Sequence, residues 1–255
     1  MILAGLTLLA IGGADLIRQF QSARRRGAAY GIGALVFFVA SIVIDAAAWA
    51  IGALLVAAVW VLLVRPDGRG RSGLWPIGVL AVACAAAVVV AGPRTATAAL
   101  GPLWMLPAPG STSGGTIPLD LVVLVLGAAV FLLESANTVV RTALRAERAD
   151  PPAVADGGGI TGPDSEAAPR MHDVAPATLK GGRLIGPLER VIVFALMLAG
   201  AYTLIAAVFA AKGIVRFPEI SRDGAGDRAE QFLVGSLVSW VIALAAAFLV
   251  WWGAR

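Results

Sequence analysis

Charged residues, cysteine and histidine are all scarce in this sequence of 255 residues. Only 14% of the residues are charged, against roughly a quarter in an ordinary soluble domain. The hydrophobic share is 59% and the mean hydropathy is +0.85, which excludes a soluble globular enzyme. Several apolar stretches reach the ~20 residues that a helix needs to cross a bilayer. We therefore expect an all-α fold, a polytopic bundle of transmembrane helices.

The scarcity of metal-ligating and nucleophilic residues also limits the chemistry. The single cysteine, Cys84, lies in an apolar run, and the single histidine, His172, lies in a segment rich in proline and glycine. One cysteine and one histidine are too few to form a disulfide framework or a thiolate or histidine metal site. Neither an HExxH nor a GxSxG motif occurs in the sequence. We expect no enzymatic activity, no metal and no cofactor.

The net charge of +4 reflects membrane topology rather than nucleic-acid binding. The basic residues cluster beside apolar runs, where the positive-inside bias acts, and no basic soluble module is present to bind nucleic acid. Membrane lipids are the first expected partner. The composition, rich in arginine and alanine, is typical of GC-rich bacterial coding and indicates a multi-pass protein of the bacterial inner membrane.

Apolar runs and turn signals predict about seven spans, with the N-terminus outside. The runs cover residues 1–17, two short helices within 27–64 with Asp45 at their turn, and then 74–91, 119–140, 188–211 and 232–252. This layout gives an N-terminal five-helix region (1–148), a disordered cytoplasmic linker (149–187) and a C-terminal two-helix region (188–255). It places 15 of the 20 basic residues inside.

One segment does not fit the seven-span layout. Lys212, Arg216, Arg222 and Arg228, between the last two spans, would all lie outside. If the sixth stretch were instead a re-entrant hairpin broken near Gly200, this segment would return to the cytoplasm and six spans would remain. Re-entrant backbone is tolerated only where protein or water surrounds it. Both layouts are compatible with the sequence.

The fifth predicted span carries polar residues on one helical face. Glu134, Asn137, Thr138 and Arg141 stand at positions i, i+3, i+4 and i+7. An ionisable group at this depth is costly unless it is paired and faces the interior of the bundle. Glu134 is therefore either a carboxylate that handles protons or cations, or a structural lock satisfied by Arg141 or by a donor on another helix.

Small residues recur every four positions on the last two predicted spans. Such positions let helix backbones approach closely in lipid. The predicted helix-packing seam serves either packing within the chain or a face for another protein, and it includes Ala199, Ala207, Gly235, Ser239 and Ala243.

Three motifs in the C-terminal quarter point to one family. They are GGRLIGPLER at 181–190, AAKGIVRFPE at 210–219 and FLVGSLVS at 232–239. Together they resemble the C-terminal part of an uncharacterised bacterial integral membrane family, the domain-of-unknown-function family 3307, although Gly213 stands where members have a serine. The resemblance implies no activity, but it implies a charged site that comprises Glu189, Arg190, Lys212, Arg216 and Glu219.

Helix geometry limits how that charged site can assemble. Glu189 and Lys212 are 23 residues apart, which is about 35 Å along a continuous helix. Only the re-entrant layout would bring them together.

These patterns favour a non-enzymatic subunit, scaffold or regulator that acts through helix faces and cytoplasmic loops. Its partner would be another membrane protein or a second copy of the chain. The alternative is a transporter or channel for a small solute, an ion or a lipid, with Glu134 as its intramembrane carboxylate.

Overall fold

The structure is a computed structural model that describes residues 1–64, 74–91, 94, 105–107, 116–148, 182–222 and 226–255. Helix accounts for 89% of these residues, which confirms the all-α prediction. The helices are α1 (Ile2–Phe20), α2 (Ala23–Val43), α3 (Ala47–Leu63), α4 (Trp75–Ala91), α5 (Leu119–Leu133), α6 (Ser135–Arg148), α7 (Gly182–Leu198), α8 (Tyr202–Arg222) and α9 (Gly226–Gly253). Two short strands, β1 (Met105–Pro107) and β2 (Thr116–Pro118), pair antiparallel ahead of α5.

Three helices among the described residues are long and apolar enough to cross a membrane individually. They are α1, α2 and the Phe232–Gly253 part of α9. The α5–α6 pair meets the same criterion as one bent span, and α3, α4 and the first part of α8 are apolar but shorter. These helices are compatible with a membrane location, but they do not confirm seven spans.

The α1–α5 contact forms the centre of the bundle. A Cβ atom built on Gly127 of α5 would overlap the carbonyl oxygen of Gly5, and one on Gly12 would lie 2.8 Å from the Val130 side chain. The two backbones therefore touch directly, as small residues permit in lipid. Helices α3 and α4 pack on α1, and α9 packs against α4, α5, α6 and α7.

The predicted turn between two helices at Asp45 is confirmed, because α2 and α3 meet there. This residue has a φ of 50°, in the left-handed region that few residues other than glycine adopt. An aspartate tolerates it because its short polar side chain can bond locally.

The predicted fifth span, 119–140, is not one straight helix. Helix α5 ends at Leu133, Glu134 leaves helical geometry, and α6 starts at Ser135 and runs to Arg148. The two axes differ by 49°. The prediction missed this break because neither glycine nor proline, the usual sequence signals of a kink, stands there.

The prediction of one sixth span over 188–211 is wrong. Helix α7 begins at Gly182, inside the range predicted to be linker, and ends at Leu198, while α8 starts at Tyr202. Gly200 lies in the turn with a φ of +70°, which glycine adopts without steric cost. The chain thus reverses as the hairpin alternative predicted. Residues 149–181, the rest of the predicted linker, lie outside the described residues.

Both chain ends lie at the same end of the bundle. The ammonium group of Met1 donates to the Ala87 carbonyl at 3.4 Å, and a Cβ atom built on Gly253 would lie 2.8 Å from the Met1 sulfur. Seven crossings, an odd number, would place the two ends on opposite sides. The reversal of the chain between α7 and α8 is compatible with this proximity.

Candidate functional site

Arg190 of α7 lies at the meeting point of four helices and is only 3% exposed. Its guanidinium donates from Nη1 to the Leu132 carbonyl at 3.2 Å, from Nη2 to Asn137 Oδ1 at 2.7 Å and from Nε to Ser239 Oγ at 2.8 Å. Arg190, Leu132, Asn137 and Ser239 are called the Arg190 cluster below. The cluster connects α5, α6, α7 and α9 through one side chain.

The bend between α5 and α6 explains why a backbone carbonyl belongs to this cluster. In an uninterrupted helix, the Leu132 carbonyl would accept from the amide four residues later. At the break it accepts from Arg190 instead. A buried carbonyl needs such a partner, and bent membrane helices depend on neighbouring groups to supply it.

Glu134 lies at the bend itself, 7% exposed. Its Oε2 accepts from Asn137 Nδ2 at 3.0 Å, so the Asn137 amide is held between Glu134 and Arg190. The carboxylates of Glu134 and Glu189 both attract the Arg190 guanidinium, whereas Arg141 repels it. The arrangement balances a buried cation with two nearby anions.

The structure therefore brings together only some of the polar residues that were predicted to share one helical face with Glu134. Glu134 and Asn137 act together, with Arg190 as the donor from another helix. Thr138 is buried and its carbonyl accepts from the Thr142 hydroxyl. Arg141 lies on the exposed side of α6.

A second charged contact joins the two arms of the α7–α8 hairpin. Lys212 Nζ lies 2.8 and 2.7 Å from the two oxygens of Glu189. Trp240 of α9 donates from Nε1 to Glu189 at 2.8 Å, and Phe209 stacks on the Trp240 ring with centroids 3.8 Å apart. The Lys212 ammonium also lies 5.3 Å from the centre of the Trp240 ring, within the range of a cation–π interaction. This Glu189–Lys212 pair fixes α8 to α7 and α9.

The residues implied by the family resemblance are thus partly brought together. Glu189, Arg190 and Lys212 lie in adjoining contacts of the same three helices. Arg216 and Glu219 belong to α8, but their side chains lie outside the described part of the chain.

The positions of the predicted packing seam differ in their surroundings: those on α9 face inward, and the others are exposed. Ala199 and Ala207 are exposed, so they do not pack within the chain. The α9 positions face inward because they lie on the side of α9 that packs on α6 and α7. Ser239 and Ala243 are buried, and a Cβ atom on Gly235 would lie 3.5 Å from the Leu144 side chain.

Two further charged contacts were not predicted from the sequence. The first lies on the end of the bundle that holds both chain termini. Arg94 donates to Asp120 of α5, with Nη2 2.8 Å from Oδ1, and its Nη1 donates to the Asp45 carbonyl at 2.6 Å. Asp120 is 1% exposed. The pair ties the α2–α3 turn to the start of α5.

The second unpredicted contact lies between α1 and α3. Buried Asp15 accepts from Trp60 Nε1 at 3.1 Å, and Arg18 Nη1 lies 3.6 Å from its other oxygen. Arg18 also donates to the carbonyls of Val61 and Val64 at 3.0 and 2.7 Å. Val61 lies in the last turn of α3 and Val64 is its C-cap, where helix carbonyls need partners from outside the helix. The i, i+3 spacing of Asp15 and Arg18 was the available sequence signal.

Three apolar crevices open between the helices, with volumes of about 380, 530 and 400 Å³. The first lies between α1, α2 and α3, and the other two flank α4. Neither Glu134 nor Arg190 lines any of these three. In the part of the chain that the structure describes, no group of three or more His, Cys, Asp or Glu side chains could hold a metal ion.

Comparisons with family models, with curated proteins and with solved structures find no match to this chain. The resemblance to family 3307 therefore stays a prediction, and the geometry of the described residues carries the functional argument.

Proposed function

We propose that this chain is a multi-pass protein of the bacterial inner membrane that serves as a non-enzymatic subunit, scaffold or regulator. One observation carries the proposal: the buried charged side chains of the described region are bonded to other parts of the chain. Arg190, Asp120 and Asp15 each connect separate helices. An ionisable group in a membrane is a candidate functional site by default. Here, however, these groups form hydrogen bonds that join the helices and hold them in place.

The proposed topology has six crossings and a re-entrant α7–α8 hairpin, with both chain ends outside. The shared position of Met1 and Gly253 supports it. Eighteen of the 20 basic residues then lie inside and two, Arg94 and Arg255, lie outside. This distribution follows the positive-inside bias more closely than the seven-span layout, which left five outside.

The outer surface provides the faces on which a partner would bind. Large apolar side chains cover α2 and α8, and several are more than 60% exposed, including Ile32, Leu35, Val36, Tyr202 and Ile214. Lipid covers such surfaces in a membrane protein, and small residues among them let another helix approach. Ala199 and Ala207 are exposed small residues of this kind.

Purification from the native membrane in a lipid-preserving polymer, followed by mass spectrometry, tests the proposal. We expect a protein partner at near-stoichiometric level. Ala207→Trp should reduce its recovery severalfold, while Leu237→Trp, on an exposed position of α9, serves as the matched control. Recovery of the chain with no partner and no second copy would contradict the proposal.

The bend at Glu134 favours one alternative, a transporter or channel. Discontinuous helices with a polar group at the break often bind solutes in transporters. Glu134→Gln distinguishes the two functions. A structural lock predicts that the substitution lowers the free energy of unfolding by about 1–3 kcal/mol, because the Arg190 guanidinium loses an anion.

Thermal unfolding in mild detergent measures this effect of Glu134→Gln, with Arg141→Gln as the control. Arg141 is exposed, so its substitution should change stability by no more than about 0.5 kcal/mol. Unchanged stability of Glu134→Gln together with a lost solute flux in liposomes would favour transport instead.

A further inference from the structure

The crevice between α1, α2 and α3 lies next to the most basic segment of the first two helices. Its volume is about 380 Å³, within the range of ligand sites. Small residues on the three facing helices leave the space open, and they include Gly13, Ala14, Gly33, Ala34, Ala57 and Ala58. From Leu9 to Ile17 the crevice follows nine residues of α1, whose eight steps cover about 12 Å along the helix axis.

Two hydrogen-bond donors have no acceptor, one in the wall of this crevice and one a helical turn beyond it on α2. The Tyr30 hydroxyl belongs to the crevice wall, is buried, and has no hydrogen-bond partner in the structure. Arg26, one helical turn earlier on the same face of α2, has a buried Nε that is likewise unpartnered. Its Nη2 donates to the carbonyls of Arg18 and Gln21 at 3.1 and 3.5 Å, which holds the guanidinium beside the α1–α2 turn.

The surroundings of these two donors are strongly positive. Arg24 and Arg25 are exposed in the first turn of α2, and no acidic residue stands in that turn. Arg18, at the end of α1, is paired with Asp15, so Arg24 and Arg25 supply the net positive charge. The N-terminal end of a helix also carries partial positive charge, so every charge of the first turn favours an anion.

The same crevice is open to lipid. Helix α2 buries only Ser41 among its 21 residues, so it lies loosely on α1 and α3. An acyl chain can enter beside it from the bilayer without moving any packed helix. Basic pockets between transmembrane helices on the cytoplasmic side bind anionic headgroups.

We propose that this crevice binds one anionic phospholipid of the cytoplasmic leaflet. An acyl chain fills the space between α1, α2 and α3, and the headgroup phosphate accepts from Arg26 Nε and the Tyr30 hydroxyl. Arg24 and Arg25 strengthen the attraction without contributing to the wall. The assignment rests on the proposed membrane placement of the α1–α2 turn, but not on the proposed partner.

Native mass spectrometry of the purified chain tests the site. The delipidated protein is titrated with dioleoyl phosphatidylglycerol, and in parallel with dioleoyl phosphatidylcholine, which has the same acyl chains and no net charge. We expect saturable retention of one phosphatidylglycerol per chain, and weaker retention of phosphatidylcholine by about tenfold.

Two kinds of substitution separate the headgroup from the acyl chain. Arg24→Gln with Arg25→Gln should weaken phosphatidylglycerol retention about tenfold or more, since each basic residue near the headgroup contributes to the attraction. The control removes two exposed arginines of α6, Arg141→Gln with Arg145→Gln. Tyr30→Phe removes only the hydroxyl and should weaken retention severalfold.

Gly13→Phe fills the crevice, because a Cβ atom at Gly13 meets nothing within 4 Å. It should abolish retention of both lipids at this site. Gly78→Phe in α4, whose Cβ position is equally open, is its control.

Three results would overturn the proposal. They are equal retention of the two lipids, equal effects of the α2 and α6 arginine substitutions, or phosphatidylglycerol binding that survives Gly13→Phe. Release of the lipid by free glycerol phosphate at equal concentration would also overturn it, because the headgroup alone would then suffice. A crevice occupied by a helix of a second copy would appear as a retained dimer without lipid, which contradicts a lipid site.

Discussion

The buried guanidinium of Arg190 donates three hydrogen bonds, and each acceptor belongs to a different helix. A planar guanidinium can reach three such acceptors at once, because its donors point in fixed, diverging directions. Ser239 and Asn137 are also bonded to Arg190 at short distances, which holds α6 and α9 at one depth relative to α7. At the residue scale, this side chain determines how the two halves of the chain meet.

Replacement of Arg190 should be among the most damaging single changes in the described region. Arg190→Met takes the donor away from three acceptors and the nearby cation away from Glu134, and should lower the free energy of unfolding by about 3–5 kcal/mol. Arg190→Lys retains the charge but not the fork of donors, so we expect a smaller loss. Urea unfolding in mild detergent measures both variants, and equal stability of wild type and Arg190→Met would contradict the role of the Arg190 cluster.

The sequence indicates some of these residues and not others. Glu134 and Asn137 are recognisable because polar residues on one face of an apolar run are rare. Arg190 is recognisable only through the family resemblance, since an arginine near the start of a helix is common at a membrane surface. Asp120 and Arg94 are 26 residues apart, and no local pattern connects residues so far apart in the chain.

At the scale of elements, the α1–α5 crossing depends on glycines that the sequence analysis did not single out. Small residues spaced every four positions predicted a close helix contact on the last two spans instead. Alanine is so frequent in this chain that its spacing alone does not distinguish a packed face from an exposed one. Ala199, in the turn after α7, and Ala207 of α8 are both exposed. Gly5 and Gly127 carry the contact because only a missing Cβ lets the two backbones touch.

Gly127→Ala should therefore destabilise the bundle. The added Cβ would overlap the Gly5 carbonyl oxygen, and separation of the two helices should cost about 3 kcal/mol. The control Gly78→Ala adds a Cβ in open space, and its higher helix propensity should leave stability unchanged or raise it by up to ~1 kcal/mol. Thermal midpoints of the two variants provide the comparison, and equal midpoints would show that the α1–α5 backbones are not in contact.

Helix breaks differ in how well they can be read from sequence. The break at Gly200 is signalled by a glycine and by the unfavourable placement of the basic residues that follow it. The break at Glu134 has neither signal, because it depends on Arg190 from a distant helix to satisfy the Leu132 carbonyl. Tertiary contacts of this kind are invisible to local patterns.

At the scale of the whole molecule, the proposed number of crossings rests on where the two ends lie. Met1 and Gly253 are in contact, which supports placing both ends on one side of the membrane. The fold class and most helix positions could be predicted from apolar runs. Whether the number of crossings is even or odd could not be predicted, because one apolar stretch of 24 residues is long enough either to cross the membrane or to fold back.

The side of the C-terminus is a direct test of the six-crossing topology. Single cysteines replace Arg255 or Arg24 in a chain whose buried Cys84 is changed to Ala. In intact spheroplasts, an impermeant thiol reagent should label the cysteine at position 255 and not the one at position 24. Protection of position 255 until the membrane is opened would support seven crossings.

Charged side chains hold broken helices together, most clearly in the Glu189–Lys212 pair, which joins the two arms of the α7–α8 hairpin. Spin labels on cysteines that replace Leu188 and Gly213, both exposed, report the distance between the arms of the hairpin in lipid nanodiscs. Labels on Leu233 and Trp251 of α9 provide a control of about 27 Å, which is independent of the hairpin.

In a hairpin whose helices pack 8–10 Å apart, we predict a distance of about 20 Å between the labels at 188 and 213. A continuous helix through these residues would give about 38 Å and would contradict the account.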